Sequence, residues 1–160
     1  LVENAKEIKL FDGPGTIQSA RFSPDGRWIA YASPIGGTVQ IFVIPSPTVS
    51  DIAGKFSDGN NSPGRWQIST VGGLHPLWRG DSRELYYIRN DGASMAVDVS
   101  SDKDGFHVGH ETELFRIVMR TNVECWAVTS DGRKFVVDAL AGINSAPLVV
   151  VQNWKEELTK

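Results

Sequence analysis

Three stretches of this 160-residue chain open on a tight polar turn and run on into an apolar segment. They are "SPDGRWIAYAS" (Ser23 to Ser33), "RGDSRELYYIR" (Arg79 to Arg89) and "TSDGRKFVVDA" (Thr129 to Ala139). Aligned on Asp25, Asp81 and Asp131, they continue with Gly26, Ser82 and Gly132, then Arg27, Arg83 and Arg133. Two positions further on stand Ile29, Leu85 and Phe135. The spacings are 56 and 50 residues. A period of this length describes stacked structural units, each too thin to bury a core alone.

The chemistry of each unit is that of a β-hairpin. Asp-Gly favours a tight turn, because glycine accepts positive φ and the aspartate accepts hydrogen bonds from nearby backbone N–H groups. Apolar runs flank each turn: "SARFS" and "WIAYAS", "PLW" and "ELYYI", "CWAV" and "FVVDAL". A third strand follows each hairpin ("TVQIFVI", "SMAVDV", "APLVVVQ"), and a fourth follows the first two ("RWQIST", "TELFRI"). Few of these runs alternate strictly, and "IAYA", "LYYI" and "QIFVI" read as buried on both faces. Four-stranded antiparallel sheets buried on both faces and repeated at this spacing are β-propeller blades. The expected fold is therefore all-β, a partial propeller of about three blades near residues 18–70, 75–117 and 123–160. "KEIKLF" (residues 6–11) reads as the fourth strand of a blade whose other strands precede it.

"FSPDGRWIAYAS" resembles the TolB-like, WD40-like propeller repeat, with its strand, Ser-Pro-Asp-Gly turn and second apolar strand. The copies at Asp81 and Asp131 depart from it, with Gly80-Asp81-Ser82 and Thr129-Ser130 where Ser-Pro-Asp-Gly would lie. The segment from "FHVGHETELFRI" to the C-terminus resembles the end of such propellers behind bacterial serine/threonine kinase domains. That resemblance implies a binding or sensing module, bacterial and leaning to an extracytoplasmic location, with chemistry carried by a separate domain. The sequence contains no glycine-rich nucleotide loop, His-Arg-Asp or Asp-Phe-Gly.

The net charge of −3 gives no basic field for nucleic acid. No apolar run approaches the roughly 20 residues of a membrane-spanning helix. The start at Leu1 reads as a fragment or processed form, and Cys125 as a buried structural thiol. The segment Pro45 to Gly64 reads as a mobile surface loop. His107 and His110, with Glu111 and Glu113, read as a loop before a strand rather than a metal site. No cofactor is expected. Asp25, Gly26, Asp81, Asp131 and Gly132 are expected to be turn formers, with blade repetition holding the aspartates too far apart for paired acid–base work.

Propeller ligands meet the loops that line the central channel. Here these lead into each blade's first strand or join its second and third strands. The candidates on that face are Gln18, Ser19, His75, Arg89, Asn90 and Glu124, and His75 stands out because imidazole titrates near neutrality. Neither a nucleophile elbow nor a Ser, His and Asp set stands out in the sequence, so a non-enzymatic protein- or ligand-binding module is expected. The alternative is a propeller segment of a hydrolase, acting on peptide or glycan, with catalytic residues elsewhere. Bare sheet faces and an orphan strand lead to the further expectation of a homodimer completing a six-bladed ring.

Overall fold

The computed structural model describes residues 16–47, 64–117, 126–138 and 148–152. The expected strand at residues 6–11, residues 48–63 of the long loop, Glu124 and Cys125 lie outside these.

The first sheet contains β1 (Gln18–Phe22), β2 (Trp28–Ile35), β3 (Thr38–Pro45) and β4 (Trp66–Gln67). The second contains β5 (Leu74–Trp78), β6 (Glu84–Ile88), β7 (Ala93–Asp102) and β8 (Gly105–Arg116). The third contains β9 (Trp126–Val128), β10 (Lys134–Asp138) and β11 (Leu148–Gln152). Every pairing is antiparallel between consecutive strands. No helix occurs among the described residues. The chain is thus all-β, with its sheets arranged as blades of a partial propeller.

Turn chemistry sets the register. Ile35 pairs with Thr38 across Gly36 and Gly37, whose φ values of 57° and 85° suit a two-residue hairpin that needs positive φ twice. At the repeated turns Gly26 and Gly132 both have φ 72°, and Ser82 adopts φ 60° at the equivalent position. The local geometry persists where the glycine does not, because the flanking strands still have to meet.

Stacking follows from the double-sided strands. Within β2 and β6, successive residues are buried whichever face they point to. Trp28, Ala30, Ala32, Ile41 and Val43 of the first blade form one core with Leu85, Tyr87, Met95 and Val97 of the second. Phe106 closes it, 4.9 Å from Trp28 in an edge-to-face contact. Tyr86, Ile88 and Ala96, on the opposite face of the second blade, pack with Trp126, Phe135 and Val137 of the third. Full burial of a side chain such as Leu85 stabilises the fold by about 1.5–3 kcal/mol. Ile29, Tyr31, Phe42 and Ile44, on the other face of the first blade, form a further buried cluster. On the outer face of the third blade, Leu148 and Val150 remain exposed.

Two expectations change. The fourth strand of the first blade shortens to two residues, Trp66 and Gln67. His107 and His110 lie within the long strand β8, not in a loop before it, and His107 Nε2 pairs with Asp102 at 2.9 Å. The turns of successive blades also touch: the Asp25 N–H donates to Ser82 Oγ at 3.2 Å, and the Gly80 N–H to the Ser130 carbonyl at 2.8 Å. They meet because they end the first strands, on which the blades converge.

The repeated turn glycines are under unequal constraint. A Cβ at Gly26 would meet open space, whereas one at Gly132 would collide with the Tyr86 hydroxyl and crowd the Arg79 side chain. Gly26→Ala is expected to cost only the left-handed penalty, roughly 1–2 kcal/mol. Gly132→Ala should cost clearly more, because Tyr86 must also move. Thermal melts of the two variants check this, and equal shifts would contradict the crowding at Gly132.

Candidate functional site

Ser19 and His75 occupy the same position in β1 and β5, 56 residues apart. Both adopt the left-handed conformation, with φ of 54° and 55°. In each blade the register against the second strand shifts at this point, between Gln18 and Arg21 and between Leu74 and Leu77. Such bulges re-aim a side chain and often border functional sites. A left-handed non-glycine residue costs on the order of 1–3 kcal/mol and persists only where its surroundings impose it. Here the two irregularities bring Ser19 Oγ within 3.1 Å of His75 Nδ1.

Two indoles tie this part of the blades together. Trp126 Nε1 donates to the His75 carbonyl at 2.9 Å, and Trp78 Nε1 to the Arg21 carbonyl at 3.2 Å. Arg21, His75, Pro76, Leu77 and Trp126 line a shallow cleft beside the Ser19–His75 contact. Its lining therefore carries a guanidinium, an imidazole and an indole, and the Ser19 hydroxyl meets the imidazole beside it. Among the described residues, no group of three or more His, Cys, Asp or Glu side chains is placed to hold a metal ion.

The other sequence candidates are dispersed. Gln18 is exposed, opposite Ala32. Arg89 is engaged within its own blade, with Nε 2.8 Å and Nη2 2.7 Å from the Asp91 carboxylate and Nη2 3.3 Å from Glu113. Arg116 closes this network through Glu113 at 2.7 Å and Asp91 at 3.3 Å. The Arg89 guanidinium bonded to Asp91 holds that carboxyl far below the usual carboxylate range. Asn90 lies against Gly72, in the link between the first two blades, where a Cβ would strike its amide. The link is also fixed by the Gln40 side-chain Oε1, which accepts from Ser69 Oγ at 2.6 Å and the Gly72 N–H at 3.1 Å.

At the other end of the first strands, the turn aspartates accept local hydrogen bonds. Asp25 accepts from Ser23 Oγ at 2.5 Å and the Arg27 N–H at 3.1 Å. Asp131 accepts from Thr129 Oγ1 at 2.5 Å and the Arg133 N–H at 3.0 Å. Asp81 accepts from the Arg83 N–H at 3.0 Å and takes a forked pair from Arg79 at 2.8 and 2.7 Å. Arg79 also reaches Glu84 at 2.7 Å, and Glu84 accepts from the Tyr86 hydroxyl at 2.6 Å. The Arg79 hydrogen bonds bring the Asp81 pKa down to about 2.

No protein-family profile and no curated protein sequence matches the chain. Among solved structures, it is similar to an oligogalacturonate lyase from Vibrio parahaemolyticus, with 17% identity and a TM-score of 0.47. It is also similar to a Bacteroides fragilis protein named for 6-phosphogluconolactonase activity, with 14% identity and a TM-score of 0.47. The matches cover 72% of this chain and 26% of the lyase, and 86% of this chain and 38% of the second protein. The chain therefore spans well under half of either structure. Both are β-propeller-type folds, and both are named as enzymes. The expectation of a non-enzyme, drawn from missing motifs and an assumed separation of catalysis from the propeller, is corrected by those names.

The charged turn makes the fold acid-sensitive. Because the folded Asp81 pKa lies below its ordinary value, its contribution is fully present above about pH 4 and is lost as pH falls through about 2. Asp131, lowered first by its Thr129 hydrogen bond, acts in the same direction. The melting temperature should therefore drop between pH 5 and pH 2, and Asp81→Asn should narrow that drop. An unchanged pH dependence in the variant would contradict the role of the Arg79–Asp81 pair.

Proposed function

We propose that the chain is the propeller segment of a hydrolase acting on a glycan, and that the surface at Arg21, His75 and Trp126 contacts the carboxylate of an acidic sugar unit. The observation that carries this reading is the convergence of Arg21, His75 and Trp126, drawn from three blades, on one cleft, with Ser19 bonded to the imidazole beside it. Arg21 supplies the cation for a carboxylate, Ser19 and His75 suit sugar hydroxyls, and the indole of Trp126 offers an apolar wall. The TolB-like character of the blades belongs to the same proposal, supported by the Ser23-Pro24-Asp25-Gly26 turn and its hydrogen bonds.

Glucuronate and glucose differ at the carboxylate, so they separate charge recognition from general sugar binding. In a nuclear magnetic resonance titration, glucuronate should shift the Trp126 indole N–H signal saturably at concentrations where glucose does not. Arg21→Gln should weaken that binding by about tenfold, the size of one charge-assisted contact near the surface. Equal responses to the two sugars, or none at all, would overturn the reading.

A further inference from the structure

We infer that Ser19 and His75 form a nucleophile–base dyad that cleaves carboxylic esters. The inference deepens the hydrolase reading and rests on the same cleft, but it requires chemistry from this chain's own residues. Three observations converge. Ser19 Oγ lies 3.1 Å from His75 Nδ1, within hydrogen-bond reach for proton transfer. Ser19 is held at φ 54° beside the register shift in β1, a bulge that turns its side chain toward His75. His75 is fixed in turn, since its own backbone is left-handed and its carbonyl accepts the Trp126 indole N–H at 2.9 Å.

The reaction balances with water as the only co-reactant. Ser19 Oγ bonds to the ester carbonyl carbon while its proton passes to His75 Nδ1. The carbonyl electron pair moves to oxygen, then returns as the bond to the alkoxide breaks. His75 gives its proton to the departing alcohol, leaving Ser19 acylated. Water then adds to the acyl group as His75 takes its proton. Collapse releases the carboxylic acid, and the proton returns to Ser19 Oγ. An ester asks less of a two-residue site than an amide, because an alkoxide leaves more readily than an amine. Arg21 lines the same cleft and adds a positive charge to it, which favours an anionic intermediate.

Two variants separate catalysis from folding. Ser19→Gly removes the hydroxyl while easing the positive φ, and His75→Gln retains polarity without a base. The intact chain is treated with a fluorophosphonate probe, and the adduct is mapped by peptide mass analysis. A single adduct on Ser19 is expected, absent in Ser19→Gly and formed about 100-fold more slowly in His75→Gln. Hydrolysis of p-nitrophenyl acetate should fall by a similar factor in both variants. No adduct on Ser19, or a labelling rate indifferent to His75→Gln, would overturn the dyad. Glucuronate binding measured on the same samples tells the two proposals apart: binding without labelling sinks only the dyad, and labelling without binding sinks only the sugar-acid reading.

Discussion

Face-to-face burial of thin sheets is the constraint from which the remaining structure follows. A strand such as β6, buried along its whole length, cannot lie at a solvent face. It needs a sheet on each side, and the first and third blades provide them. Once sheets stack in this way, their first strands converge and equivalent positions become neighbours. The contacts from Asp25 to Ser82 and from Ser19 to His75 are two results of that one arrangement, at opposite ends of the same strands.

The two ends do different physical work. At the turn end, charges are neutralised locally: Asp81 by Arg79, with Glu84 shared between Arg79 and the Tyr86 hydroxyl. Paired charges of this kind fix geometry and contribute modestly to stability where water reaches them. At the other end, the backbone holds unfavourable conformations at two non-glycine residues and aims their side chains at each other. Left-handed backbone also occurs at Ser82 in the turn, so it is the side-chain contact between Ser19 and His75 that marks this end as the candidate site.

Much of the blade pattern was legible because its causes are local. Asp-Gly turns, double-sided apolar runs and a regular period require no knowledge of distant contacts. The short β4 and the long β8 were less legible, since strand length depends on the pairing partner as well as propensity. Ser19 and His75 could be placed at equivalent positions from the alignment of the repeats. Their hydrogen bond could not, because neither residue type signals positive φ and the bulges arise from pairing. Arg89 looked like a ligand contact because its partners Asp91 and Glu113 are recognisable only once β7 and β8 are paired.

Stacking forces Ser19 onto His75, and the ring nitrogens of His75 report on that contact directly. In protein labelled with nitrogen-15 in histidine, the His75 Nδ1 resonance should move when Ser19→Gly removes the hydroxyl, while the signals of His107 and His110 stay in place. An unmoved Nδ1 resonance in a folded Ser19→Gly variant would contradict the contact.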